Sequence, residues 1–158
     1  MTVDPQAADV SLAAAFAAWA MNDELLRRLA ADGFADTRVA DGVLFQHVVD
    51  GPRTITTLAR RMGVTQQAAS KQVADLERRG YVARAPDPAD ARARRVALAP
   101  RGVAVVQAGR RHREALAAEL AAALGPARVE EARRLLLDVV TELGAEDAVR
   151  ARRVRPPA

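Results

Sequence analysis

Four polar side chains lie close together in the middle of the chain, and their types suit hydrogen bonds to base edges and to anions. They are Gln66, Gln67, Ser70 and Lys71. A glutamine amide offers a donor and an acceptor, which matches the edge of adenine in the major groove of DNA, and serine can bond to a base or a phosphate. Lys71 and the backbone amides at Thr65 and Gln66 can hold phosphates. Taken alone, these residues are more typical of a surface helix that faces water.

Further along the chain, a group of arginines follows a segment rich in proline and aspartate. The arginines are Arg92, Arg94 and Arg95, and Pro86 and Pro88 stiffen the segment before them. Arginine enters narrow minor grooves, where the negative potential of DNA is strongest. The carboxylates of Asp87 and Asp90 suit a different role, in which they pair with an arginine and orient it. The alternative is a surface hairpin whose charge pairs contribute about 0–1 kcal/mol.

The distribution of charge points to a surface for a polyanion. Residues 53–95 include ten basic and four acidic residues, a net charge of +6, whereas the whole chain carries +4. A basic middle between near-neutral or acidic ends is typical of polyanion-binding proteins. Charge alone fits a solvated, arginine-rich surface equally well.

The polar residues lie on the second of two helices that a tight turn joins. Hydrophobic spacing predicts one helix over about 56–62 and another from the capping residue Thr65 to about residue 79. Ala59 and Ala69 are small enough for the two helices to approach closely. Gly63 can adopt the left-handed backbone conformation that such a turn requires. The spacing therefore predicts a helix-turn-helix.

The arginines lie at the end of the loop of a predicted hairpin. Residues 81–84 and 95–98 have the β-branched and aromatic side chains of short strands, and residues 85–92 between them predict a long, exposed tip. Further helices are predicted over 11–31 with Ser11 as cap, over about 37–49, and over 101–124 and 126–143. This order predicts a mainly α fold, a winged helix-turn-helix with a three-helix core, a two-stranded β-wing and N- and C-terminal dimerisation helices.

Residues 54–100 resemble the core of the MarR (multiple antibiotic resistance regulator) family. The matching segments are residues 58–71, 76–82 and 86–98, and the flanking helices agree in number and order. The resemblance implies a transcription regulator of duplex DNA, usually a repressor, whose wing arginine in the minor groove would be Arg92. The chain departs from the family pattern at Ala91, often arginine or lysine, and at Ala99-Pro100, where threonine usually follows the strand.

The helices at both ends predict a homodimer. They carry more apolar surface than a winged helix of about 50 residues can cover, and pairing across a two-fold axis would bury it. Two recognition helices would then face a pseudo-palindromic site at a spacing of about 34 Å. The MarR resemblance implies the same dimer; the alternative is a monomer with a larger helical core.

The resemblance also implies a small phenolic or anionic effector, bound between the dimerisation helices and the DNA-binding part. Trp19, Phe45 and His47 are the candidate lining residues, although each one singly is more typical of an ordinary core. From these elements we expect disorder over residues 1–10, a single domain over 11–147 and a basic, disordered tail over 148–158. Within the domain, the winged helix occupies about 37–99, and the dimerisation helices occupy 11–31 and 101–144.

An enzyme has no support in the sequence. The chain has no cysteine, and its two histidines, His47 and His112, are not spaced as a local metal pair. No phosphate loop or nucleophile motif is present, so we expect no catalytic residue, metal or cofactor. Since we find no secretion signal and no apolar run of about 18–20 residues, we expect a cytoplasmic protein without a membrane span. The alternative function is a winged helix for protein–protein contact without DNA binding, which predicts a neutral or apolar recognition face.

Overall fold

Helices dominate the fold, and one small antiparallel sheet accompanies them. The computed structural model describes residues 7–87 and 90–151, the side chains of 90–93 excepted. Its elements, in chain order, are α1 (Val10–Ala31), α2 (Val39–Val48), β1 (Arg53–Thr54), α3 (Ile55–Met62), α4 (Gln66–Arg78), β2 (Val82–Asp87), β3 (Asp90–Leu98), α5 (Pro100–Leu124), α6 (Pro126–Glu142) and α7 (Glu146–Arg150). This architecture confirms the predicted fold class.

Side-chain caps and one glycine define the helix-turn-helix. The hydroxyl of Thr54 accepts a hydrogen bond from the Thr57 amide at the start of α3, and the hydroxyl of Thr65 accepts one from the Ala68 amide at the start of α4. Between the helices, Gly63 has φ 69°, the left-handed conformation that ends α3. The predicted Thr65 cap and the predicted role of Gly63 are therefore confirmed.

One hydrophobic core joins the helix-turn-helix to the sheet and to α2. Ala59 and Ala69, the small residues predicted between α3 and α4, are both buried. The largest fully buried side chains come from α2, α3, α4 and the sheet with its preceding residue: Tyr81, Leu44, Leu58, Met62, Leu76, Val73 and Val96. Dense packing of these side chains fixes the direction in which α4 presents its polar face.

The sheet is larger than the sequence predicted. It has the order β1-β3-β2, and the unpredicted strand β1 pairs Arg53 with Val96 and Thr54 with Arg95. The prediction of a long hairpin tip over 85–92 is wrong, because β2 runs to Asp87 and β3 begins at Asp90. Pro86 fits within β2 because β2 is an edge strand, where proline interrupts no second ladder.

The terminal helices also differ from the predictions in detail. Asp9, rather than Ser11, caps α1, since its carboxylate accepts hydrogen bonds from the amides of Ser11 and Leu12. Val10 belongs to α1, and the rest of the predicted N-terminal tail lies partly outside the described residues. Disorder from Ala148 is wrong as far as Arg150, because α7 includes both residues.

Among the described residues, helix α6 packs mainly against α5. It has no buried residue. Its large apolar side chains are exposed to solvent at Leu135, Leu136, Leu137 and Val139, and Leu143 follows at 77% exposure. An exposed apolar surface of this extent marks an interaction site in a soluble protein.

Candidate nucleic-acid interface

The first turns of α4 bring the predicted recognition residues together. Gln66, Gln67 and Lys71 are exposed, and Ser70 is half-buried behind them. The amide nitrogen Nε2 of Gln66 donates to the Oγ1 atom of Thr56 on α3 at 3.2 Å. This contact orients one of the two glutamines and leaves the surface polar, with hydrogen-bond donors and acceptors in one patch.

An ion pair anchors the far end of α4 to α2. The guanidinium of Arg79 donates in a bidentate manner to Asp41, with distances of 2.8 Å from Nη1 to Oδ2 and 2.9 Å from Nη2 to Oδ1. Both side chains are buried, at 10% and 4% exposure. The hydrogen bond to Asp41 raises the pKa of Arg79 above its ordinary value. This side-chain pair ties the end of α4 to the first turn of α2.

A second polar network ties the winged helix to α5. The Tyr81 hydroxyl donates to Asp36 at 2.5 Å, and the Arg101 guanidinium donates to the same carboxylate at 2.9 Å. Burial raises the pKa of Tyr81, and its hydrogen bond lowers the pKa of Asp36. Arg101 also lies over the Tyr81 ring, 4.8 Å from the centroid. These contacts join the first turn of α5 to Tyr81, in the segment between α4 and β2.

The wing positions its arginines with an internal ion pair. The Nε atom of Arg95 donates to Oδ2 of the buried Asp87 at 2.6 Å, which is the orienting contact expected of that carboxylate. Arg94, one residue earlier on β3, is exposed. Asp90 and Arg92 belong to β3, but their side chains lie outside the described part of the structure.

Two further arginines, which the sequence analysis did not assign, lie beside the wing. Arg53 of β1 and Arg61 of α3 line a polar cavity together with Arg95. The basic pair at positions 60 and 61 was visible in the sequence. Its proximity to β3 was not, because that depends on the two-residue strand β1.

A separate, mostly apolar cavity lies between α1, α2 and α5. Its volume is about 360 Å³, and it includes the guanidinium-bearing residues Arg38 and Arg113 among its lining. Of the three candidate effector residues, only Phe45 lines it. His47 is buried elsewhere, and Trp19 is 60% exposed with its ring 5.5 Å from that of Phe16. Trp19 and His47 therefore do not line this cavity, and their assignment to an effector site stays a prediction.

The described residues form neither a metal-binding cluster nor a membrane-spanning helix. Within residues 7–87 and 90–151, no group of three or more histidine, aspartate and glutamate side chains gathers as a metal site. No helix in that same part of the chain is long and apolar enough to cross a membrane. His112 is half-buried, and its Nε2 atom lies 2.8 Å from Asp32, which joins α5 to the end of α1.

Known proteins similar to this chain include a family of regulators and several solved structures. A family model described as the MarR family matches residues 42–93. No curated protein sequence matches the chain. Among solved structures, RV1404 from Mycobacterium tuberculosis is similar at 24% identity and a TM-score of 0.67, covering 84% of this chain and 88% of that one.

Two further similar structures contain nucleic acid. A MepR variant from S. aureus bound to an oligodeoxyribonucleotide is 21% identical, with a TM-score of 0.58, over 86% of this chain and 99% of that one. FabT from Streptococcus pneumoniae, in complex with DNA, is 16% identical, with a TM-score of 0.65, over 86% of this chain and 98% of that one. At these identities, the structural likeness shows the fold.

Proposed function

Because this chain carries the winged helix of the MarR family of transcriptional regulators, we propose that it binds duplex DNA in a sequence-specific manner as a homodimer. In the family's usual mode, it represses transcription. Two similar structures, MepR and FabT, were solved with DNA or an oligodeoxyribonucleotide. The dimer binds a pseudo-palindromic operator with one recognition helix in each half-site.

One observation carries the proposal most directly. The exposed Gln66, Gln67 and Lys71 lie on a helix that buried residues and the Arg79–Asp41 pair hold in place, and a basic strand follows it in the same core. A helix with such a face fits the major groove, and the wing arginines fit the neighbouring minor groove. The polar, basic face is the opposite of the apolar face that a protein–protein module would need.

The dimer follows from the apolar residues of the terminal helices. Helix α6 has no buried residue, and its exposed leucines have no other described element to cover them. Pairing with the same helices of a second copy buries this surface around a two-fold axis. The dimer then holds the two recognition helices at a fixed spacing.

The apolar cavity between α1, α2 and α5 suits a small phenolic or anionic effector. Phe45 and neighbouring apolar residues provide surface for an aromatic ring, and Arg38 and Arg113 provide guanidinium groups for a carboxylate or phenolate. An effector there favours one arrangement of α5 relative to the winged helix. The effector lowers DNA affinity only if it binds that arrangement more tightly than it binds the arrangement found on DNA. The size of the change equals this difference in effector affinity.

Binding to random duplex DNA at increasing salt tests the proposed function. We expect binding of full-length protein at low ionic strength, measured by fluorescence anisotropy. With six to ten phosphate contacts, affinity should fall by about 10³–10⁵ between 50 and 200 mM salt. An absence of binding to duplex DNA at low ionic strength would overturn the proposal. It would favour a winged helix that binds another protein.

Replacing Gln67 with alanine should change sequence preference. A lost bidentate contact to a base costs about 1–3 kcal/mol at the preferred site and little elsewhere. The measurement is a selection from random duplexes with wild type and Gln67→Ala in parallel. Lys71→Ala is the matched control, since losing a phosphate contact should weaken all sequences nearly equally. An unchanged preferred site would show that Gln67 does not contact a base.

Replacing Leu135 with glutamate should dissociate the dimer without unfolding the subunit. Leu135 is 55% exposed in the isolated subunit, so a charge there is tolerated, whereas the dimer would bury it. Each subunit then loses about 1.5–3 kcal/mol of apolar burial, in addition to the cost of desolvating the charge. Sedimentation velocity measures the change, and Leu135→Met, which keeps the apolar surface, should remain dimeric. If the Leu135→Glu variant sediments as the wild-type dimer does, α6 is not part of the dimer interface.

A further inference from the structure

The cavity beside the wing gathers cations and hydroxyl groups. It has a volume of about 320 Å³ and lies where β1, α3 and β3 meet. Three arginines contribute to its walls: Arg53, Arg61 and Arg95. The remaining lining residues are Pro52, Thr54 and Thr57, so no carboxylate lines it. A concave site with three guanidinium groups and two hydroxyls has the composition of a phosphate site.

Backbone register assembles this cavity from distant parts of the sequence. The pairing of β1 with β3 places Thr54 opposite Arg95. On α3, Thr57 and Arg61 are four residues apart and therefore share one face of the helix. Three arginines on three different elements therefore line one cavity: Arg53 of β1, Arg61 of α3 and Arg95 of β3.

The hydrogen bonds around the cavity leave donor capacity available. The Nε atom of Arg53 is buried and has no hydrogen-bond partner among the described residues, and its Nη1 atom donates to the Pro52 carbonyl at 3.3 Å. Arg95 uses its Nε atom on Asp87, which fixes the direction of its guanidinium. Arg95 is already compensated by Asp87, so an anion in this space lowers mainly the electrostatic energy of Arg53 and Arg61.

The cavity lies between the two proposed DNA-contacting surfaces. Thr56, the neighbour of the lining residue Thr57, accepts the hydrogen bond from Gln66 at the start of the recognition helix. On the other side, Arg95 connects the cavity to Asp87 of the wing. In duplex DNA, a phosphate backbone separates each major groove from the adjacent minor groove. A protein that enters both grooves must cross that backbone.

We propose that Arg53, Arg61 and Arg95 form a phosphate pocket that takes one backbone phosphate of DNA between the groove that α4 enters and the groove that the wing enters. The inference rests on the proposed function and adds a site to it. The pocket fixes the spacing between recognition helix and wing on DNA. Because it contacts the backbone, it supplies affinity and register without reading a base.

Salt dependence of DNA binding by full-length Arg61→Ala tests the pocket. Arg61 is exposed, so its loss should leave the fold intact, which circular dichroism checks. Loss of one phosphate contact should reduce the slope of log affinity against log salt by about 0.9. The affinities for a preferred duplex and a random duplex should fall by the same factor. Arg60→Ala is the matched control, since Arg60 is exposed on the same helix and does not line the cavity; its slope should change by less than half as much.

The results distinguish a failure of the pocket assignment from a failure of the proposed function. If wild-type protein does not bind duplex DNA, the proposed function fails. If wild type binds and Arg61→Ala behaves as Arg60→Ala does, only the pocket assignment is overturned. A thermal-shift titration with inorganic phosphate distinguishes a free anion from the DNA backbone. Stabilisation by millimolar phosphate that requires Arg61, together with an unchanged salt slope, would assign the pocket to a small anion and overturn the assignment to DNA.

Discussion

Replacing Gly102 with alanine should severely destabilise the protein, by about 3 kcal/mol or more. Gly102 lies in the first turn of α5, directly against the backbone of Tyr81. A methyl group at this position would lie 2.0 Å from the Tyr81 carbonyl oxygen and 3.0 Å from its carbonyl carbon. That oxygen also accepts a hydrogen bond from the Ala99 amide at 3.0 Å, so relief of the clash must break a backbone contact. Urea unfolding followed by circular dichroism measures the loss.

Gly42→Ala is the matched control for this prediction. Gly42 also lies within a helix, but a methyl group there meets no atom within 4 Å. Since alanine has the higher helix propensity, this variant should gain up to about 1 kcal/mol of stability. If Gly102→Ala and Gly42→Ala unfold at the same urea concentration, close packing of α5 on the winged helix is not what requires glycine at 102.

Replacing Arg79 with alanine should cost about 3–5 kcal/mol of stability, because the substitution leaves a buried carboxylate without its cation. Asp41 is 3% exposed and accepts two hydrogen bonds from the Arg79 guanidinium, which also donates to the Asp75 carboxylate and the Asp36 carbonyl. The Arg38 amide, at 2.9 Å, remains as a partner of that carboxylate but cannot neutralise it. Thermal and urea unfolding of the variant at neutral pH provide the measurement.

Two variants distinguish this cause from a general loss of arginine. Arg78→Ala removes a neighbouring side chain that is 74% exposed in its pair with Asp75, and it should cost no more than about 1 kcal/mol. The double variant Arg79→Met with Asp41→Asn removes both charges and should be more stable than Arg79→Ala alone. Equal losses for Arg78→Ala and Arg79→Ala would contradict the buried-pair explanation.

The sequence predicted the helix-turn-helix well because its boundaries depend on local chemistry. Thr65 can cap a helix through its own side chain, and Gly63 can turn the chain without steric cost. Both properties act within a few residues, so they can be recognised without the fold. The polar face of α4 follows from the same local pattern.

The sequence predicted the wing and its surroundings less well because they depend on contacts between distant residues. Strand β1 has two residues, too few for any periodicity, and exists because β3 pairs with it. Pro86 suggested a loop, but its place on an edge strand removes the conflict with sheet hydrogen bonding. Similarly, Arg53 and Arg95 line one cavity only because β1 pairs with β3, and that pairing has no signature in a window of sequence.

The residues that line the cavity between α1, α2 and α5 were also difficult to predict from the sequence. Aromatic residues are rare in this chain, and rarity alone suggested Trp19 and His47 as pocket residues. The position of a cavity depends on how three helices diverge, which spacing along one helix does not reveal. The cavity between α1, α2 and α5 instead includes Phe45 and two arginines from different helices.

A hydroxyl-radical footprint of the full-length protein on a selected duplex tests the central proposal most directly, that each subunit of a dimer contacts one duplex with both its recognition helix and its wing. We expect two symmetry-related protected regions whose centres are about 10–10.5 base pairs apart, or a multiple of that spacing. Each should extend into the flanking minor groove, where the wing lies. Protection on one side only, without a two-fold related copy, or no protection at low salt would contradict the account.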